Sequence, residues 1–560
     1  MSKFIIAKVH ESSPNSGRNA AVQRTLDCVN LLRQSHAWPF APALPFPSGG
    51  SRSAPRTFRW REVGFGVCMK PVLLISAAAL LTTGCVTSQV RKAEVTPPPA
   101  YESPKPNPDS LTPAALDNWW TLYGDAQLNS LVDEALKNAP DARTAFAVLD
   151  QAAAVRSETL DKLYIPTGQV QASATRNHAT QLGSGSSPTG ALFAPPGATE
   201  SYSASFDVSW ELDLWGRRAA GRRGADADFY NAAFTYEATR TALIADVANS
   251  LFQARGLAIQ MQDALETARI DRELAHISDV QQKAGLVASA DLDQSLAQAE
   301  AAEAQAESFR AQLLAAQRTL LVLIGHGFDK VESLPAAAAV GTPPPVPATL
   351  PGDLLRRRPD VRAAEWRIVS ASSTLKTDDL ALLPTINLQP GASLTKTTGP
   401  FGYSSAAYSL GAALTQPILD RPRLIAQIHA QRAVAEQDVI AYEKAVQTAY
   451  SDTETAFTYM DSDARRVRML TEAEARAESA YEKGRLGYAR GLNDLTTALQ
   501  AETTWRSVRS QLSSAQITLM ERSVQAFKAL GGGWSPDHPA AATLYAAKSE
   551  RGVAEPKGVR

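Results

Sequence analysis

Residues 217–282 read RRAAGRRGADADFYNAAFTYEATRTALIADVANSLFQARGLAIQMQDALETARIDRELAHISDVQQ. The stretch contains no proline, and its only glycines are Gly221, Gly224 and Gly256. Leu243, Val247, Leu251, Ala254, Ala258, Met261, Leu265 and Ala268 recur in steps of four and three, so all eight fall on one stripe of a helix. At about 1.5 Å per residue, the helix is a rod of roughly 100 Å. Helices of compact domains average only about 10–14 residues. A rod this long is a coiled coil, a spacer or the wall of a tunnel.

Outward from this rod, the plan occurs twice. Ala139-Pro140-Asp141 opens one helix and Arg358-Pro359-Asp360 another; proline suits the first helical turn and the acid suits its positive end. Ile165-Pro166-Thr167 and Leu383-Pro384-Thr385 end them and lead into strands. The strands alternate strictly. Val170, Ala172 and Ala174 alternate with polar neighbours. So do Ala204, Phe206, Val208, Trp210, Leu212 and Leu214. Ile386, Leu388, Ala392 and Leu394 repeat the pattern, as do Tyr408, Leu410, Ala412, Leu414 and Ile418. Four strands of about ten or more residues, each with one apolar and one polar face, are long enough to cross a bilayer at a tilt of about 45°. The other reading is a soluble sheet half-packed on a core, but no neighbouring helix is short enough to cover it.

After each strand pair comes a long helix, a break and a return helix. The spacing predicts helices over 217–282 and 289–324 with a break at Gly285. It predicts a second pair over 422–483 and 492–530, with a break over 484–487 and a stop at Gly531-Gly532-Gly533. Val439, Val446, Thr453, Met460 and Val467 are spaced by sevens, with Tyr442, Ala449, Ala456, Leu470 and Ala477 between them. That is a coiled-coil seam, thin enough to need neighbours on both sides.

Composition narrows the classes. Lys and Arg number 56 against 57 Asp and Glu, a formal net charge of −1, which gives no electrostatic case for nucleic acid. No apolar run of 18 residues occurs outside the leader described next, which excludes a multi-span helical membrane protein. Cys28, Cys68 and Cys85 form no disulfide framework, and the seven histidines form no ligand pair. No phosphate loop or nucleophile elbow appears, so neither an enzyme nor a cofactor or metal is expected.

Residues 1–68 show no sustained period and read as disordered, or as translation from a start placed too early. Met69-Lys70 then begins the layout of a secretory leader, with an apolar run over 72–81 and Leu81-Thr82-Thr83-Gly84-Cys85. Residues 69–84 are the expected signal peptide. Cys85 is the expected lipidated N-terminus, although Thr82 stands where a lipoprotein box usually has leucine; the other reading is a chance apolar run with a cysteine. A Pro-rich linker follows over 85–115. The two repeats cover 116–335 and 350–533, and a tail covers 534–560.

Four strands cannot close a barrel, since about eight is the smallest transmembrane closure. An open sheet in lipid would leave edge amides unsatisfied. Three copies would supply twelve strands and close a helical cylinder at the same time. The expected architecture is therefore a mixed α/β membrane protein: a homotrimer with a 12-stranded barrel above a long coiled-coil α-barrel.

Several segments resemble one family. These are Trp119-Trp120-Thr121-Leu122-Tyr123-Gly124-Asp125, Leu131-Val132-Asp133-Glu134-Ala135-Leu136 and, most specifically, Leu354-Leu355-Arg356-Arg357-Arg358-Pro359-Asp360-Val361-Arg362-Ala363-Ala364-Glu365. With the duplicated plan, over about residues 85–533, the chain resembles the TolC-like outer-membrane factors, in particular the NodT-type lipoproteins paired with resistance-nodulation-division (RND) pumps. The resemblance implies a passive efflux duct, anchored to outer-membrane lipid through Cys85 and extending into the periplasm. It implies a periplasmic adaptor and an inner-membrane RND transporter as partners. It puts the adaptor-facing tips at Gly285-Leu286-Val287 and Gly487-Tyr488-Ala489. The family often carries an acidic pore ring past the second tip. Here the corresponding segment reads Leu499-Gln500-Ala501-Glu502, and Asp494 is the substitute candidate for the pore gate, its alternative being an ordinary solvated helix residue. Asp291 and Asp293 read as surface or helix-end charges, and Trp119 and Trp120 as packing a short helix against the rods, with a membrane-interface role as the alternative. A duct for type I protein secretion and a soluble coiled-coil scaffold or adhesin are the competing functions.

Overall fold

A computed structural model describes residues 90–102, 113–179, 197–347, 351–399 and 402–536. Cys85, the expected leader and the expected tail beyond residue 536 lie outside the described residues.

The same order of elements occurs twice. Helix α1 (Ala126–Asn138) is followed by α2 (Pro140–Tyr164), strands β1 (Thr167–Ala179) and β2 (Gly197–Leu212), then the rod α3 (Arg217–Lys283) and its return helix α4 (Ser289–Leu323). The second round is α5 (Pro359–Leu380), β3 (Thr385–Thr398), β4 (Tyr403–Thr415), the rod α6 (Arg421–Ala489) and its return helix α7 (Leu495–Ala529). The rods are 67 and 69 residues long. Proline stands at the first turn of α2, α5 and α6, where its missing N–H leaves no helical bond unmade.

The first rod ends within one residue of its expected limit. Its stripe is buried at Leu243, Val247, Leu251, Ala254, Ala258 and Ala268, whereas Leu265 is half-exposed. In α6 the seam is buried at Val439, Val446, Ala449, Thr453 and Ala456, and only partly covered from Met460 to Leu470. Each rod pairs with its own return helix; α3 also packs on α7 and so joins the two hairpins.

The four strands form one antiparallel meander in the order β1-β2-β3-β4. Register keeps like with like. Val170 lies opposite Phe206, Phe206 opposite Ala392, and Ala392 opposite Tyr408. One residue along, Gln171, Ser205, Ser393 and Ala407 form the next cross-strand row on the other face. Pro390 has no N–H, and the β2–β3 ladder skips from Asp207↔Gly391 to Trp210↔Leu388 around it.

The largest core lies where the ends of both repeats meet. The Trp119–Tyr123 turn inserts Trp119 flat against Phe527, with ring centroids 5.4 Å apart. Trp120 and Tyr123 pack edge-on to Trp119, and the Tyr123 hydroxyl meets Ser523 Oγ at 2.5 Å. Trp119 therefore packs against return helix α7, and both tryptophans sit in a core that residues of the rods also enter. Leu128, Leu131, Leu243, Val247, Phe252, Leu320, Val361, Val524 and Leu530 complete the cluster.

Candidate functional site

Two regions carry the architecture's chemistry: the sheet face and the ends of the two hairpins. On the sheet, the alternate residues Val170, Phe206, Leu394, Tyr408, Leu410 and Leu414 are exposed large apolar side chains on one face. The opposite face carries Gln171, Ser173, Ser203, Ser205, Ser393 and Thr395. Strands β1 and β4 are the edges, each paired on one side only. Such an apolar face satisfies no water, and such edges leave half their backbone groups open to another chain.

At the first hairpin end, Gly285 adopts φ +73°. Its N–H donates to the Gln282 carbonyl (2.8 Å), and the Leu286 N–H donates to that of Gln281 (2.9 Å). At the second end, Gly491 adopts φ +70°; its N–H donates to the Tyr488 carbonyl (2.9 Å) and the Leu492 N–H to that of Gly487 (2.8 Å). Both are left-handed glycine closures that satisfy the last helical carbonyls. They leave Leu286 74% and Leu492 75% exposed.

The second break is thus corrected. It was expected over 484–487, but α6 runs on to Ala489 and the reversal occupies 490–494. Gly484 and Gly487 are helical and buried. Asn493 packs on Gly487 so closely that a Cβ there would sit 2.4 Å from its Nδ2. A side chain at Gly487 would have to displace the Asn493 amide, and the chain does not turn there. Tyr488 is likewise inside: it is 2% exposed, its hydroxyl meets Ser278 Oγ at 2.9 Å, and Leu274, Leu495 and Leu499 surround it. The counterpart of Gly285-Leu286 is Gly491-Leu492. The repeated Gly-Leu pair was present in the sequence as the signal for it.

Asp494 is the N-cap of α7, in extended backbone, and its Oδ1 accepts from the Thr497 N–H at 2.9 Å. Hydrogen bonds from Thr497 hold its carboxyl below the usual range, so it is ionised and faces solvent. Gln500 is exposed and uncharged. Asp291 lies in the first turn of α4.

The R-R-P-D run is a clamp. Arg357 reaches Asp117, and its carbonyl accepts from Trp534 Nε1 at 2.8 Å. Arg358 pairs with Asp360 at 2.7 Å and with Asp452 of α6 at 3.1 Å. The Arg358–Asp452 pair ties the start of the second repeat to its own rod, and the Arg357–Asp117 pair ties it to the start of the first. Asp125 plays a matching part in the first repeat. It caps α1 through the Gln127 and Leu128 N–H groups and pairs with Arg255 of α3.

The sequence profile of the family described as "Outer membrane efflux protein" matches residues 131–326 and 350–532. The pyoverdine export outer membrane protein OpmQ of Pseudomonas putida is 26% identical over 473 residues, spanning 84% of this chain and 98% of that protein. The toluene efflux pump outer membrane protein TtgF of Pseudomonas putida is 27% identical over 429 residues, spanning 76% and 87% respectively. Among solved structures, the outer-membrane channel OprN superposes with a TM-score of 0.69 at 25% identity, covering 80% of this chain and all of that one. The CmeC outer membrane channel of Campylobacter jejuni gives 0.70 at 20% identity, over 83% and 98%, and shares the fold.

Proposed function

The chain belongs to the outer membrane efflux protein family, and on that premise we propose how its own residues build the duct. The protein is an outer-membrane efflux channel with a periplasmic helical extension. Three copies close it: β4 of one protomer pairs with β1 of the next, giving twelve antiparallel strands. The observation that carries this reading is the sheet itself, apolar on one face, polar on the other and open at both edges. Lipid covers Phe206, Tyr408 and Leu410, and water fills the side lined by Ser173, Ser203 and Ser393. Closure removes the unpaired backbone groups that an isolated sheet would expose to hydrocarbon.

Residues 116–335 and 350–533 act as two copies of one plan, so three chains supply six hairpins to the helical cylinder. The half-covered lower seam of α6 packs against a neighbouring protomer. Cys85 carries lipid that holds the linker at the membrane. A periplasmic adaptor grips the hairpin ends through Gly285, Leu286 and the corresponding Leu492, and an inner-membrane RND transporter supplies the cargo. Relatives whose names specify pyoverdine, toluene or antibiotic efflux support small molecules as that cargo. Asp494 contributes fixed negative charge near the closed end and favours cations there.

Reconstitution into planar bilayers tests the duct. Discrete conductance steps with cation preference are the expected result. A protein that binds the bilayer and passes no current overturns it.

A further inference from the structure

Asp271 of α3 and Glu502 of α7 are each 0% exposed. Their carboxyl groups face one another across the contact that joins the two hairpins, within hydrogen-bonding reach. One cation serves both: Arg506 Nη1 lies 3.1 Å from Asp271 Oδ2 and 3.6 Å from Glu502 Oε1. Asp271 Oδ1 and both Glu502 oxygens are buried and receive no hydrogen bond from any protein N–H or hydroxyl. With both acids ionised, two negative charges and one positive charge would be sealed together, with three acceptor atoms unserved. A single proton on the pair removes the excess charge and supplies the missing donor.

The other nearby cations are engaged elsewhere: Arg509 of α7, which lines the adjoining cleft and lies over the Trp505 ring, pairs with Asp263 of α3 at 2.8 Å. On one side lie Ile270, Tyr481 and Trp505, the two rings stacked 5.1 Å apart; on the other lie Leu274, Tyr488, Leu495 and Leu499. From α6, Tyr481 feels the Glu502 charge, and burial holds its phenol protonated. Arg485 of α6 is engaged by Glu273 and Glu482, and Glu474 accepts from Trp505 Nε1. On α3, Arg269 is engaged by Glu266 and Glu273, and Arg272 by Glu303 of α4. Residue α4 Gln298, which is uncharged, shares with Arg506 the walls of the adjoining cleft.

We propose that Asp271 and Glu502 share one proton, and that this proton is a latch holding the two hairpins of a protomer together near the periplasmic end. The pair sits roughly 10–18 Å from the hairpin ends, counted along the helices. Rupture there frees both ends.

The direction follows from linkage. In the latched state burial first, and Asp271 second, push the Glu502 carboxyl up to about 8. Once the hairpins part, water reaches it and it returns toward its ordinary 4.5. The latched state therefore binds more protons than the parted state between those values. Rising pH favours parting throughout that window and adds nothing above it.

The test uses the full-length protein and rests on the duct reading only in its first arm. Conductance in planar bilayers is compared at about pH 5 and about pH 8.5. The expected result is a rise of about tenfold or more in open probability, flattened in Glu502→Gln and in Asp271→Asn. A pH-flat wild type, or a Glu502→Gln channel that keeps the wild-type dependence, overturns the latch. In the second arm, infrared spectroscopy reads the protonated-carboxyl carbonyl band at neutral pH, with or without conduction. Loss of that band in Glu502→Gln supports the latch; an unchanged spectrum overturns it. Absence of current at every pH counts against the duct alone, and the infrared arm then decides the latch.

Discussion

Gly531 presses its α-carbon against the backbone carbonyl of Arg357: a Cβ at that position would lie 2.6 Å from the oxygen. Gly325 stands in the same relation to Asn138, at 2.5 Å. Each glycine ends a return helix at positive φ and rests on the residue that leads into the proline-opened helix of its own repeat. The duplicated plan is thus closed twice by the same backbone contact.

Alanine at either position meets two penalties. The left-handed backbone costs about 1–2 kcal/mol and the clash with a carbonyl about 1–3 kcal/mol. Gly531→Ala and Gly325→Ala should each destabilise by about 3 kcal/mol. Gly124→Ala, also at positive φ but with nothing within 4 Å, should lose only about 1–2 kcal/mol. Denaturant titration of the purified variants checks the ranking.

The two faces of the sheet should respond oppositely to charge. Phe206→Arg places a guanidinium mid-strand on the apolar face and should cost about 2–4 kcal/mol, read as failure to insert in outer membranes. Ser203→Arg, on the polar face, should insert normally and narrow the conductance. Equal insertion of both variants would contradict the assignment of faces.

Leu286 and Leu492 are exposed at equivalent hairpin ends. Leu286→Asp and Leu492→Asp should shift folding stability by no more than about 0.5 kcal/mol, as surface changes do. They should nevertheless abolish adaptor co-purification and export. Tyr488→Phe should behave differently: the buried hydroxyl bond to Ser278 is lost, at about 1 kcal/mol, and a double-mutant cycle with Ser278→Ala should show coupling.

Asp494 combines a cap with a charge, and asparagine separates them. Asp494→Asn keeps an N-cap acceptor but removes the charge, whereas Asp494→Ala removes both. If Asp494 lines the duct, both variants should lose cation preference, and only alanine should loosen the start of α7. Its carboxyl is held low by Thr497, so the charged cap is present above the ordinary carboxylate range. It weakens as pH falls through the depressed value. Ion selectivity and hydrogen exchange at α7 read the two roles.

The rods and strands were legible in the chain because their signals are local. The stripe from Leu243 to Ala268 and the alternation from Ala204 to Leu212 each repeat along a single element. Pro140 and Pro359 marked helix starts for the same reason. The second hairpin end lies beyond the expected break because Gly484 and Gly487 look like breakers in sequence, while both sit inside α6, Gly487 against the Asn493 amide and Gly484 facing Ala498 and Ala501 of α7 with room for ordinary contact. The Asp271–Glu502 pair was invisible for the same kind of reason: 231 residues separate two acids that only the packing of α3 on α7 brings together. Leu265 fits its stripe yet stays half-exposed within the protomer.

The oligomeric mass of the protein extracted from outer membranes in mild detergent tests the central claim most directly. Closure of four strands by assembly predicts three chains per particle. A monomeric particle would contradict it, leaving the apolar face of Phe206, Tyr408 and Leu410 and the edges β1 and β4 without the neighbours that a barrel requires.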